Sequence, residues 1–237
     1  MNKLIRIMKL ALIKIYKEGK SLLKYGPSKY FEIKRISKLD RWKTFNTKIL
    51  NKQILCHDSK SFIGQYREIF EREIYKFETL DDEPYIIDCG ANIGLSTINF
   101  KLKLPSAKVI AFEPDPVVYK LLCKNILNFN LENVLLINKG VASKNDKRKF
   151  FGKGDVGGRI ISDEAQDNYV EIDTVSLKGY LEQKVYLLKI DIEGTEYEVI
   201  EDVKNHLLWV KRIFIEYHSN IGQPQTLDSI LKILKDS

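Results

Sequence analysis

Apolar and polar positions along the chain change period several times, and each change marks an expected element. Over residues 2–25, Leu4, Ile5, Met8, Leu12, Ile15 and Tyr16 recur at helical spacing with basic residues between them, which predicts a basic amphipathic helix broken at Gly26-Pro27-Ser28. In residues 29–60, Trp42, Phe45, Ile49, Ile54 and Leu55 are spaced as short strands or turns would space them. From Ser61 to Phe77 an apolar stripe through Phe62, Tyr66, Ile69, Phe70, Ile74 and Phe77 predicts a helix covering one side of a cleft. Strands are expected at Tyr85 to Cys89, Lys108 to Glu113, Val134 to Asn138, Val185 to Asp191 and Lys211 to Tyr217. Helices are expected between and after them, at Leu95 to Leu104, Val117 to Phe129, Thr195 to Val203 and Leu227 to Leu234. Lys147 to Phe151 and Tyr169 to Val175 interrupt this rhythm as two strands around a glycine-rich loop, Gly152 to Arg159, that is expected to face a substrate. Alternation of this kind implies an α/β fold with a mostly parallel sheet and helices on both faces, because parallel strands need crossover connections.

Composition divides the chain further. At 237 residues, with 44% hydrophobic and 30% charged positions, it has the size and balance of one large α/β domain with an extension. The net charge of +7 is uneven: residues 1–60 carry +12, leaving −5 for residues 61–237. The expected division is therefore a basic N-terminal arm over 1–60 and a ligand-binding domain over 61–237. Lys9 and Lys14 interrupt the first apolar segment, so residues 1–25 have neither a signal-peptide core nor a membrane span, but they could lie on an anionic membrane surface. Cys56, Cys89 and Cys123 are odd in number and unpaired in spacing, which suits a reducing, cytoplasmic setting and suggests no zinc site.

The chemistry gathers at strand ends. Ile86-Ile87-Asp88-Cys89-Gly90-Ala91-Asn92-Ile93-Gly94 is an apolar run, an acid and a two-glycine turn before a helix, a form suited to a nucleotide-like ligand. It lacks the G-x-G-x-x-G of dinucleotide sites, since Asn92 stands where the second glycine would. Glu113 ends the next strand, placed to accept from both ribose hydroxyls. Two later strands bring Asp191, Glu193, Glu216 and His218 to the same edge, where they could serve as a general base or hold a divalent metal; Asp191, Glu216 and His218 are the metal candidates. Glu196 can equally charge the first turn of the following helix.

Taken in order, the glycine turn, Phe112-Glu113-Pro114, Leu188-Lys189-Ile190-Asp191-Ile192-Glu193-Gly194-Thr195-Glu196 and Ile215-Glu216-Tyr217-His218 resemble the FkbM-type S-adenosylmethionine (SAM) methyltransferases, over about residues 60 to 220. The resemblance implies a Rossmann-like class I methyltransferase sheet and methyl transfer to a hydroxyl oxygen, often on a sugar of a secondary metabolite or surface glycan. It places Asp88, Gly90, Asn92 and Gly94 at the methionine end of SAM, Glu113 at the ribose and Gly140-Val141-Ala142 at the adenine. Asp191, Glu193 and His218 are then the candidate bases, unless a metal first lowers the hydroxyl's pKa. The chain departs from the class at its end, stopping after one helix where two further strands are usual, so either that hairpin is absent or a partner chain supplies an edge. Methylation of RNA or protein is the rival activity, although the basic arm shows no RNA-binding signature and nucleic acid is not expected. A non-catalytic SAM- or nucleotide-binding module is the rival of another class.

Overall fold

The computed structural model describes residues 22–24, 26–152, 158–160, 169–219, 222 and 224–237. Most of the amphipathic segment expected over residues 2–25, and most of the glycine-rich loop, lie outside them. The described chain opens helically at 22–24 and again at 26–36, the latter termed α1. Gly26, the first residue of α1, has φ 72°, and Pro27 follows with the fixed φ that starts a helix well, so residues 26–28, expected to break a helix, are helical instead. Helix α1 occupies residues up to 36 of the stretch read as mixed, with Ile33 and Ile36 buried, whereas the short strands expected around Phe45 and Ile54 are present.

Strands β1 (Phe45–Thr47) and β2 (Ile54–Cys56) pair antiparallel, and α2 (Ser59–Tyr66) follows, capped by the Asp58 side chain accepting from Lys60 N at 3.1 Å. The helix expected to reach Phe77 gives way to a π-helical turn over Arg67–Glu71, and Glu73 turns away with φ 51°. Lys24 reaches that turn with an ion pair to Glu71 of 2.8 Å.

Five parallel strands form the central sheet in the order β11-β10-β3-β4-β5, where β3 is Tyr85–Cys89, β4 Lys108–Phe112, β5 Val134–Ile137, β10 Leu187–Ile190 and β11 Ile213–Ile215. Helices α3 (Leu95–Lys103) and α4 (Pro116–Asn128) connect its first half, and α5 (Glu196–Val203) and α6 (Leu227–Asp236) belong to its second. A strand's side chains alternate between faces, and the core divides accordingly. Ile86, Val109 and Leu187 pack with Ile98 of α3, Leu122 of α4 and Phe62 of α2, whereas Ile87, Leu188 and Ile190 pack with Val199 of α5 and Ile230 of α6. Ile33, Ile36, Ile49 and Ile54 share the first of these cores, so the boundary expected at residue 60 runs through packed side chains.

A second sheet, ordered β6-β9-β7-β8, branches from this frame between β5 and β10; its strands are β6 (Gly140–Val141), β7 (Lys147–Phe151), β8 (Arg159–Ile160) and β9 (Val170–Val175). In the central sheet the chain begins at β3, runs outward to β5 and returns to β10 on the other side of β3. That reversal opens a crevice at the carboxyl ends of β3 and β10, the place where such sheets bind ligands.

Candidate active site

The crevice is built first by the turn after β3. Gly90 has φ 79°, and a Cβ there would stand 1.8 Å from the Asp191 carbonyl oxygen, so both conformation and crowding require glycine. Asn92 takes φ 52° and its own Oδ1 accepts from Ile93 N at 2.7 Å, the local bond that lets asparagine adopt a left-handed conformation. Asp88 is fully buried beneath this turn, accepting from Ser96 Oγ at 2.6 Å and Thr97 Oγ1 at 2.7 Å. Lys189, opposite Asp88 in the β3–β10 register, is also buried; its ammonium lies 3.1 Å from Asp88 Oδ1 and 3.5 Å from Asp191 Oδ2. The Asp88 Oδ1 contact is an ion pair without hydrogen-bond alignment, and the ammonium donates instead to Gly90 O at 3.0 Å. Burial alone would favour neutral lysine, but Asp88 and Asp191 outweigh it and push the ammonium's pKa above the usual lysine range.

Glu113 stands at the tip of β4, with Oε2 accepting from Asn92 N and Oε1 from Asp115 N, both at 2.9 Å. Burial pushes its carboxyl up to about 8. Each oxygen retains a lone pair for a further donor. The cleft beside it has a polar end at Gly90, Asn92 and Glu113 and an apolar end at Val141, Phe150 and Ile160. The cleft has a volume of ≈ 70 Å³. These residues fit SAM: a buried carboxylate for the ribose hydroxyls, apolar side chains for a flat base, and a glycine turn that admits close backbone approach.

A second cavity of ≈ 410 Å³ adjoins the first, walled by α2, Tyr75, Lys189 and Glu216. Gln65, Gly90, Asn92, Asp191 and Glu193 border both. Glu193 has φ 59° and Gly194 φ 115°, a turn that projects the Glu193 carboxylate at the junction. Burial raises its carboxyl above the usual range. His218 stands behind it, with Nε2 3.4 Å from Glu193 Oε2 and Nδ1 2.9 Å from the buried Glu196 Oε1. The Glu196 bond pushes the imidazole up to about 9, so the ring is cationic at neutral pH. Asp191, Glu193 and His218 each offer one atom within 4.8 Å of the others, a spacing that can take a divalent ion. Glu216, more exposed, reaches 3.8 Å from His218 Nε2.

Among the residues expected at the site, Gly90, Asn92, Glu113, Gly140 and Val141 border the cofactor-side cleft, and Asp191 and Glu193 border both cavities. Asp88, Gly94, Ala142 and His218 border neither. Asp88 acts from beneath, Gly94 is the N-cap of α3, and Ala142 is buried with its N–H on Val175 O. Lys189, Glu196, Gln65 and Tyr75 carry the architecture without having been singled out for it. Lys189 was detectable, because a lysine inside a four-residue apolar strand must be paired if that strand is buried.

The model of the methyltransferase FkbM domain family matches residues 88–236. Methyltransferase sdnD of Sordaria araneosa is 29% identical over 205 residues, covering 70% of this chain and 79% of its own. Hexuronic acid methyltransferase AglP of Haloferax volcanii is 22% identical over 221 residues, covering 86% and 90%. Among solved structures, methyltransferase FkbM from Methylobacillus flagellatus KT shares the fold, with a TM-score of 0.51 and 18% identity over 71% of this chain; this chain spans 41% of that one. With its glycine turn, buried Glu113 and carboxylate-lined second cavity, the chain belongs to the FkbM family of SAM-dependent methyltransferases.

Proposed function

We propose that the protein methylates a hydroxyl oxygen, most directly on a sugar of a glycan or secondary metabolite. The observation that carries this reading is that Asp191 and Glu193 border both the cofactor-side cleft and the cavity beside it. SAM supplies an electrophilic methyl group when bound. The chain's part is to hold the acceptor oxygen in line, exclude water and remove the hydroxyl proton. Glu193 is the favoured base, since burial raises its carboxyl and a stronger base accepts better from a weakly acidic hydroxyl. Asp191 borders the same junction. His218, holding its proton at neutral pH, orients Glu193 as a cation rather than acting as the first base. The Haloferax volcanii relative, a hexuronic acid methyltransferase by name, supports a sugar acceptor.

Methyl-labelled SAM incubated with the protein and cell-envelope glycans tests the reading. Label should appear as an alkali-stable ether on a released sugar; label confined to RNA or protein would overturn it. Glu193→Gln and Asp191→Asn should lose turnover while keeping affinity for S-adenosylhomocysteine. A chelator tests the metal form of the mechanism, in which His218 must lose its proton before it can ligate beside Asp191 and Glu193: unchanged activity keeps Glu193 as the base, whereas activity that falls and returns with Mg²⁺ would overturn that assignment.

A further inference from the structure

Helix α2 precedes the residues matched by the family model, yet it walls the second cavity. Lys60, Ser61, Gly64 and Gln65 of α2 line the cavity, so the helix face turned to it is polar and has a gap at Gly64. Glycine is the least favourable residue for a helix interior apart from proline. Among the described residues nothing calls for it at Gly64: its φ is not left-handed, and a Cβ there would meet none of their atoms within 4 Å. Gly64 is exposed and lines the second cavity. Across it stand the carboxylates of Asp191, Glu193 and Glu216, which accept hydrogen bonds from hydroxyl groups.

We propose that Gly64 is a specificity-determining position, leaving room for a hydroxyl-rich, pyranose-sized ring held between α2 and the carboxylates at the ends of β10 and β11. The inference rests on the methyl-transfer reading and locates its acceptor. The ≈ 410 Å³ of the cavity lies within the range of about 300–1,000 Å³ common for small-molecule sites. Gln65, bordering both cavities, places an amide that can donate to the acceptor oxygen or accept from its neighbour. Side chains larger than hydrogen at position 64 fill the ring's space without touching the cofactor-side cleft, which Gly64 does not border.

Saturation-transfer NMR on the full chain with S-adenosylhomocysteine bound tests this, with methyl α-D-glucopyranoside and its uronate as probes. The wild type should show transfer to at least one glycoside. Gly64→Ala should melt no lower than the wild type, because alanine favours helix, yet weaken glycoside affinity by about tenfold. Gly64→Leu should abolish the glycoside signal while its affinity for S-adenosylhomocysteine stays unchanged, which also reports that the variant is folded. Undiminished glycoside binding in Gly64→Leu would overturn the assignment and leave the methyl-transfer reading standing. A wild type that binds S-adenosylhomocysteine but neither glycoside would overturn the ligand class. Failure of the wild type to bind S-adenosylhomocysteine would sink both readings together.

Discussion

Glu113 shows what burial does to a single carboxyl. The group is nearly inaccessible, and its pKa rises from 4.5 to about 8 because the charged form loses more solvation than the N–H groups of Asn92 and Asp115 return. Ribose hydroxyls donating to Glu113 favour the carboxylate, so SAM affinity should increase with pH until about 8 and then level off. Calorimetric titration between pH 6 and 9 checks this, and Glu113→Gln should flatten the profile and weaken binding by about 1.5–3 kcal/mol. In the ligand-free protein the sign is opposite. An acid whose pKa is raised by folding favours the fold below 4.5, and that contribution is lost as pH climbs to about 8, so the melting temperature of Glu113→Gln should decline less over this window. Lys189 makes a second case. Replacing it with methionine leaves Asp88 and Asp191 without their buried cation and should lower the unfolding free energy in denaturant by about 3–5 kcal/mol. Glu113 was legible because a strand end followed by Pro114 fixes where an acid lies. The role of Glu196 was not, since a buried bond to His218, 22 residues away, leaves no local signature.

Between residues and the whole chain, elements are joined by a few buried polar groups. Asn125 of α4 is fully buried; its Oδ1 accepts from Leu55 N at 2.7 Å, while its Nδ2 donates to Leu55 O at 2.9 Å and Ile93 O at 2.8 Å. One amide thus fastens β2 and the glycine turn to the same helix. Asn125→Leu would leave these backbone groups unpartnered and should cost about 2–4 kcal/mol in denaturant unfolding, with weakened SAM binding because the Ile93 carbonyl loses its donor. The five-strand sheet was readable from sequence, since apolar strands such as Leu187–Ile190 and helices such as Pro116–Asn128 alternate with clear periods. The second sheet was only half readable: β6 and β8 are two residues long, and pairing rather than pattern defines them. The helix expected through Phe77 ends where Arg67–Glu71 widens into a π-turn and Glu73 turns left-handed; Tyr75, which the apolar stripe did not include, is buried beside Ile69 in the same core.

At the scale of the whole molecule, charge and catalysis are segregated. Residues 1–60 hold +12 of formal charge, whereas the site collects Asp88 and Asp191 around the buried Lys189, and Glu193, Glu196 and Glu216 around His218. No helix among the described residues is long and apolar enough to cross a membrane. We propose that residues 1–25 dock the enzyme on an anionic surface, the motive being the helical apolar spacing of that segment combined with seven Lys/Arg against the single acid Glu18. Each basic residue near such a surface contributes on the order of 1 kcal/mol and is screened by salt, so seven suffice for reversible attachment. The docked enzyme would meet acceptors carried on lipid without a spanning segment. Sedimentation with liposomes should show binding that requires anionic lipid, weakens as salt rises and disappears when residues 1–25 are deleted, while S-adenosylhomocysteine affinity persists in the truncated protein. Equal binding to neutral liposomes, or none to either kind, would overturn the docking role and leave those residues to serve the fold alone.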